Sequence, residues 1–113
     1  MVDRPVAEAK AELFKALAHP ARILVLEALA EGEFAVGELA DRLGMELSHL
    51  SQQLAVLRRV DAVANRRVGS VVFYRLRDPR MTQLLFVAKE LLVTSLQDNR
   101  DLLQRLGSAT DTR

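Results

Sequence analysis

The sequence contains no cysteine and no tryptophan, and its aromatic residues are four phenylalanines and one tyrosine. The missing thiols exclude disulfides, thiolate metal sites and thiol redox switches together. Histidine is nearly as scarce, at His19 and His49 only, with no Gly-rich phosphate loop and no paired carboxylates at a working spacing. An enzymatic centre has little to be built from. No apolar run approaches the roughly 18 residues of a membrane span, and residues 1–10 lack the basic-then-apolar layout of a signal peptide, so the expected setting is the cytoplasm. What is present is a chain of 113 residues, 50% hydrophobic and 27% charged, enough to bury one core and about one domain in length.

The net charge of +1 hides a strong asymmetry. Residues 1–57 carry five basic against nine acidic side chains, whereas residues 58–80 carry seven arginines against Asp61 and Asp78. Residues 81–113 balance. A dense arginine block suits a polyanion, because the guanidinium fork holds a phosphate or a guanine edge with two hydrogen bonds. Charge alone leaves open an ordinary solvated face.

Apolar spacing predicts helices over Val6–Leu17, Ala21–Ala30, Val36–Leu43 and about Leu47–Val60, with His19-Pro20 separating the first two and Gly44 turning the third into the fourth. Two short helices joined by a Gly-containing turn form a helix-turn-helix. The period then changes to two. Val63–Arg67 and Val71–Arg77 read as strands, joined through Val68-Gly69-Ser70 as a hairpin. Asp78-Pro79 offers a cap and first residue for a last helix reaching about Leu106, with residues 107–113 as a frayed tail. Residues 1–106 are expected to form a single domain of order α-α-α-α-β-β-α, mainly helical with a small β-hairpin.

That last helix is richer in leucine than one domain can cover. Leu84, Ala88, Leu91, Leu92 and Leu96 are expected to meet a second copy of the chain, together with Leu13 and Leu17 of the first helix.

The segment Leu17–Arg77 resembles the winged-helix bacterial regulators of the ArsR/SmtB type. The matching stretches are Leu17-Ala18-His19-Pro20-Ala21-Arg22-Ile23, Val36-Gly37-Glu38-Leu39-Ala40, Leu50-Ser51-Gln52-Gln53-Leu54-Ala55-Val56-Leu57-Arg58, and Arg66-Arg67-Val68-Gly69-Ser70 through Tyr74-Arg75-Leu76. The resemblance implies a homodimeric, sequence-specific regulator of transcription that binds double-stranded DNA at an imperfect inverted repeat. Residues 47–60 would then be the recognition helix in the major groove, and residues 63–77 the wing on the backbone or minor groove.

The residue chemistry agrees with that implication. With Leu50, Leu54 and Leu57 fixing the inward side of the fourth helix, Ser48, His49, Ser51, Gln52 and Gln53 are the candidates to meet bases and phosphates, and glutamine can pair bidentately with adenine. On the wing the candidates are Arg66, Arg67, Ser70 and Arg75. Leu47 stands where the family commonly has a polar residue. His19, in the His-Pro turn, is expected to make a structural hydrogen bond, and Tyr74 to pack against the domain.

Family sensors hold soft metals through cysteines on the third helix, or zinc, nickel and cobalt through histidines and carboxylates near the last. Here Ala35 and Gly37 stand where thiols would be, and residues 79–113 contain no histidine. Asp98 and Asp101 offer only exposed oxygen, a poor transition-metal set. No cofactor and no metal site of the family's known kinds is expected, which leaves an oxygen-ligand or dimer-interface site as the remaining place for one. A signal would then come from a small-molecule effector between the long helices, from a separate sensor protein, or from nothing beyond the protein's own abundance. The rival reading is a helical dimeric protein-interaction module, or a partner-dependent co-regulator with weak DNA binding of its own.

Overall fold

The computed structural model describes residues 3–110. Its elements are α1 (Arg4–Leu17), α2 (Pro20–Leu29), β1 (Phe34–Ala35), α3 (Val36–Leu43), α4 (Leu47–Arg59), β2 (Val63–Val68), β3 (Val71–Leu76) and α5 (Arg80–Thr110). They divide into two compact units, residues 1–82 and residues 83–113.

In the first unit each helix boundary has a local cause. The Asp3 carboxylate accepts from the Val6 N–H at 3.2 Å and opens α1. His19 Nδ1 accepts from the Ala21 N–H at 3.0 Å and opens α2, so the histidine of the His-Pro turn is a helix cap, as its setting predicted. α3 closes at Gly44, whose φ of 62° is the left-handed conformation. There the Met45 N–H reaches back to the Ala40 carbonyl and the Gly44 N–H to that of Asp41. α4 closes in the same way without glycine. Asp61 takes the left-handed position at φ 58°, the Ala62 N–H bonds the Leu57 carbonyl, and the Asp61 N–H bonds that of Arg58.

The core forms where the apolar stripes of α2, α3 and α4 converge. Val25, Leu26, Leu39, Leu50, Leu54 and Leu57 are fully enclosed, and Ala62 and Val63 extend the core into the start of β2. Leu17 also lies in this core, at 7% exposure. It is thus unavailable to a second copy, contrary to expectation, because α1 turns its C-terminal end, Ala16 and Leu17, inward. Leu13, one turn earlier, is only half-buried.

The sheet has three strands in the order β1-β3-β2, all antiparallel. β1 was not anticipated. Two residues are too few to show an alternation, and it exists because Phe34 and Ala35 pair with Tyr74 and Phe73. The hairpin forms where expected, but Val68 pairs with Val71 as the last residue of β2, so the loop is Gly69-Ser70 alone, and β3 ends at Leu76. Gly69 has φ 60° at the first loop position, which a type II′ turn requires and glycine supplies without strain.

α5 begins at Arg80, where the Asp78 carboxylate accepts from the Arg80 N–H at 2.9 Å. From Gln83 onward it constitutes the second unit. The helix continues to Thr110, past the expected end near Leu106, since a lone Gly107 costs only about 1 kcal/mol of helix propensity and no proline follows. Residues 107–110 are therefore helical, and residues 111–113 of the expected tail lie outside the described residues. At 31 residues the helix is about 46 Å long. Leu91, Leu92 and Leu96 are exposed along it, as are Leu102, Leu103 and Leu106. Among the described residues no helix is long and apolar enough to cross a membrane.

Candidate nucleic-acid interface

Burial of Leu50, Leu54 and Leu57 fixes how α4 is rotated, and at about 100° per residue the opposite arc follows. Ser48 and Gln52 lie at its centre, with Ser51 and His49 toward its two edges, while Leu47, about 20° around the helix from Leu54, borders the buried side; all five are exposed. The N-cap position belongs to Glu46, whose side chain makes no capping bond, so Ser48 is not spent as a cap. The first N–H groups of α4 add the donor-rich, positive end of a helix to the same corner.

Gln53 does not belong to this arc. It is buried at 7% exposure, and its Oε1 accepts from Arg22 Nη1 at 3.0 Å. Arg22 Nε also donates to the Ala16 carbonyl. Gln53 falls beyond the His49 edge of the arc, where α4 already turns toward α2, and the amide serves to satisfy a guanidinium rather than to meet a ligand.

The hairpin separates two arginines that the sequence treated alike. Register pairs Arg66 with Phe73 and Arg67 with Val72, and neighbouring residues of a strand point to opposite faces. Arg66 stands over the Phe73 ring at 4.8 Å, and its guanidinium donates to both Glu33 oxygens, at 2.9 and 2.7 Å. It is tied to the loop before β1 and not free at the tip. That bond to Arg66 holds the Glu33 carboxyl below its usual range. Arg75 shares this face and is exposed. Arg67 is on the other face, with Val72 and Tyr74. Tyr74 is half-buried, and its hydroxyl accepts from Asn65 Nδ2 at 3.3 Å, a packing role as predicted.

That second face borders an open groove of about 520 Å³, lined by Val36, Gly37, Leu47, Ser51, Ser70, Val72 and Tyr74 among others. Residues of α4 and of the β2–β3 hairpin thus share one depression, with Ser51 on one wall and Ser70 of the loop on another. Of the seven arginines of the block, Arg66, Arg77 and Arg80 are ion-paired, to Glu33, Asp61 and Asp78. Arg58, Arg59, Arg67 and Arg75 enter no ion pair among the described residues; Arg67 and Arg75 stand on the hairpin, and Arg58 and Arg59 at the far end of α4. Neither the Glu33–Arg66 tie nor the place of Leu47 in the groove was readable beforehand. The first joins positions 33 apart with no shared motif, and the second depends on how the wing folds back.

Among the described residues no group of three or more His, Asp or Glu side chains could hold a metal. Ala35 of β1 and Gly37 of α3, which stand where the resemblance places thiols, have no donor atoms in their side chains, so the residues do not fit a soft metal there.

The profile of the family described as bacterial regulatory protein, arsR family, matches residues 19–63, which span α2, α3 and α4. The HTH-type transcriptional regulator Rv0081 of Mycobacterium tuberculosis is 47% identical over 97% of this chain and 100% of its own length. The crystal structure of M. tuberculosis Rv0081 superposes with a TM-score of 0.77 at 49% identity, covering 84% of this chain and 96% of that one. The solution structure of the homodimeric winged helix-turn-helix DNA-binding domain Mb0332 from Mycobacterium bovis gives 0.75 at 31% identity, over 87% and 93%.

Proposed function

The chain belongs to the arsR family of bacterial regulatory proteins, a winged helix-turn-helix transcriptional regulator and not an enzyme, and from that premise we propose that it works as a homodimer reading an imperfect inverted repeat in double-stranded DNA. The two copies of α4 enter successive major grooves, about 34–36 Å apart on one face of the duplex. Ser48, Ser51 and Gln52 meet base edges there, with His49 at the margin. Arg67 and Ser70 of the wing reach the backbone or minor groove beside them, and Arg75 adds charge from the outer face. One observation supports this above the others: Ser51 and Ser70 line a single groove, so helix and wing act as one surface.

Dimerisation rests on the exposed leucines of α5. Leu91, Leu92 and Leu96 are each more than 60% exposed, and Ala88 is exposed beside them. Leu84 and Leu13 are each half-buried, and each is proposed to meet the second copy. An apolar row of this length on a water-soluble helix favours a partner of equal character, and a symmetric pair of identical helices is the simplest one. The signal it answers is a small-molecule effector, a separate sensor protein, or none beyond its own abundance. A mobility-shift titration against the DNA upstream of its own gene, repeated from low to high salt, tests the reading. Tight binding with a steep salt slope and resistance to random competitor DNA is expected, whereas equal affinity for specific and random DNA contradicts it.

A further inference from the structure

Leu47 is the first residue of α4 and 55% exposed, a large apolar side chain at the edge of the arc, next to Ser51. It lies one turn before Ser51, about 40° away around the helix, and both line the groove shared with the wing. A leucine there cannot hydrogen-bond a phosphate or a base edge. Yet the first residues of a recognition helix are those that reach base edges. In the major groove the one methyl group on a base edge is the C5-methyl of thymine, and the O4 acceptor lies next to it. An apolar side chain with a hydroxyl one turn on matches that pair of groups. Resting on the DNA-reading role proposed above, we propose that Leu47 is a specificity-determining residue that reads the methyl group of a thymine in each half-site.

The test replaces thymine by deoxyuridine, which removes that methyl and nothing else. A preferred duplex is first selected from a random pool with the purified protein, and each thymine of one half-site is then substituted in turn. At one position the wild-type protein is expected to bind about three- to fivefold more weakly, the effect of losing one buried methyl-sized group. Leu47→Ala should bind the thymine and uracil duplexes equally at that position while keeping the wild-type response elsewhere. Leu47→Met, which keeps an apolar end, should restore the difference. Insensitivity of the wild type to every replacement, or an unchanged pattern in Leu47→Ala, overturns the assignment while leaving sequence-specific binding intact. Failure of the pool to yield any preferred duplex overturns the DNA-reading role itself.

Discussion

Arg22 of α2 and Gln53 of α4, 31 positions apart in sequence, meet through a 3.0 Å hydrogen bond that closes the junction of three helices, since the same guanidinium also holds the last turn of α1 at the Ala16 carbonyl. Gln53→Ala leaves the partly buried guanidinium short of an acceptor and is expected to cost about 1–3 kcal/mol in urea denaturation. Arg22→Ala should cost a similar amount. The double variant should lose clearly less than the two together, because the shared bond can be lost only once. Base preference should not change in Gln53→Ala, and a changed preference would return Gln53 to the DNA-facing set.

Gln52 and Arg67 divide the work of recognition. Gln52→Ala is expected to lose about 1–3 kcal/mol of discrimination at one base pair of each half-site, with little effect on random DNA. Arg67→Ala should weaken specific and random duplexes alike and flatten the dependence of binding on salt by about one unit per protomer. Arg66→Ala should flatten it less, because Arg66 is already neutralised by Glu33. Fluorescence anisotropy across a salt series distinguishes the three, and equal behaviour of Gln52→Ala and Arg67→Ala would refute the division.

Leu92, 64% exposed on α5, reports on the dimer. A Leu92→Glu substitution places a charge in the apolar contact of both copies, at a cost of at least about 2 kcal/mol each. Light scattering after size exclusion should find monomers at micromolar concentration, and specific DNA binding should be lost with the dimer. A variant that stays dimeric would put the contact elsewhere.

The two tied carboxylates set an acid response of definite sign. Hydrogen bonds from the Arg80 side chain, and then from its backbone N–H, hold the Asp78 carboxyl down to about 2. Glu33 is lowered in the same direction, by its bond to Arg66 first. A carboxyl depressed in the folded chain stabilises it fully above the ordinary carboxylate range, and that stabilisation disappears as pH falls through the folded value. A carbon-13 titration of the side-chain carboxyls should give an Asp78 midpoint near 2 in the wild type. In Arg80→Ala it should rise toward the ordinary value, about 4, with Glu33 unmoved. An unshifted Asp78 in the wild type would contradict the Asp78–Arg80 tie.

Much of this was legible from residue order, and the exceptions share a cause. The stripes of Leu26, Leu39, Leu50, Leu54 and Leu57 announce helices because burial repeats at helical spacing, and Gly44 and Gly69 announce turns because each occupies a backbone region glycine favours. β1 was hidden because its existence depends on Phe73 and Tyr74, some forty positions away. Gln53 looked like its neighbours Ser51 and Gln52, and only the approach of Arg22 from α2 distinguishes it. Leu17 likewise fits the stripe of α1, but which partner covers that stripe is a tertiary matter. The wing arginines separate only when strand register assigns Arg66 to the face of Phe73 and Arg67 to that of Val72. Local periodicity is written in the chain, whereas pairing between distant segments is decided by packing.

The most direct measurement is a hydroxyl-radical footprint of the purified protein on its selected duplex. Two protected tracts should appear on one face of the DNA, centred about 10–10.5 base pairs apart and related by the inverted repeat, as two α4 helices in adjacent major grooves require. A single tract, or uniform protection along the duplex, would contradict a dimer that reads DNA through α4.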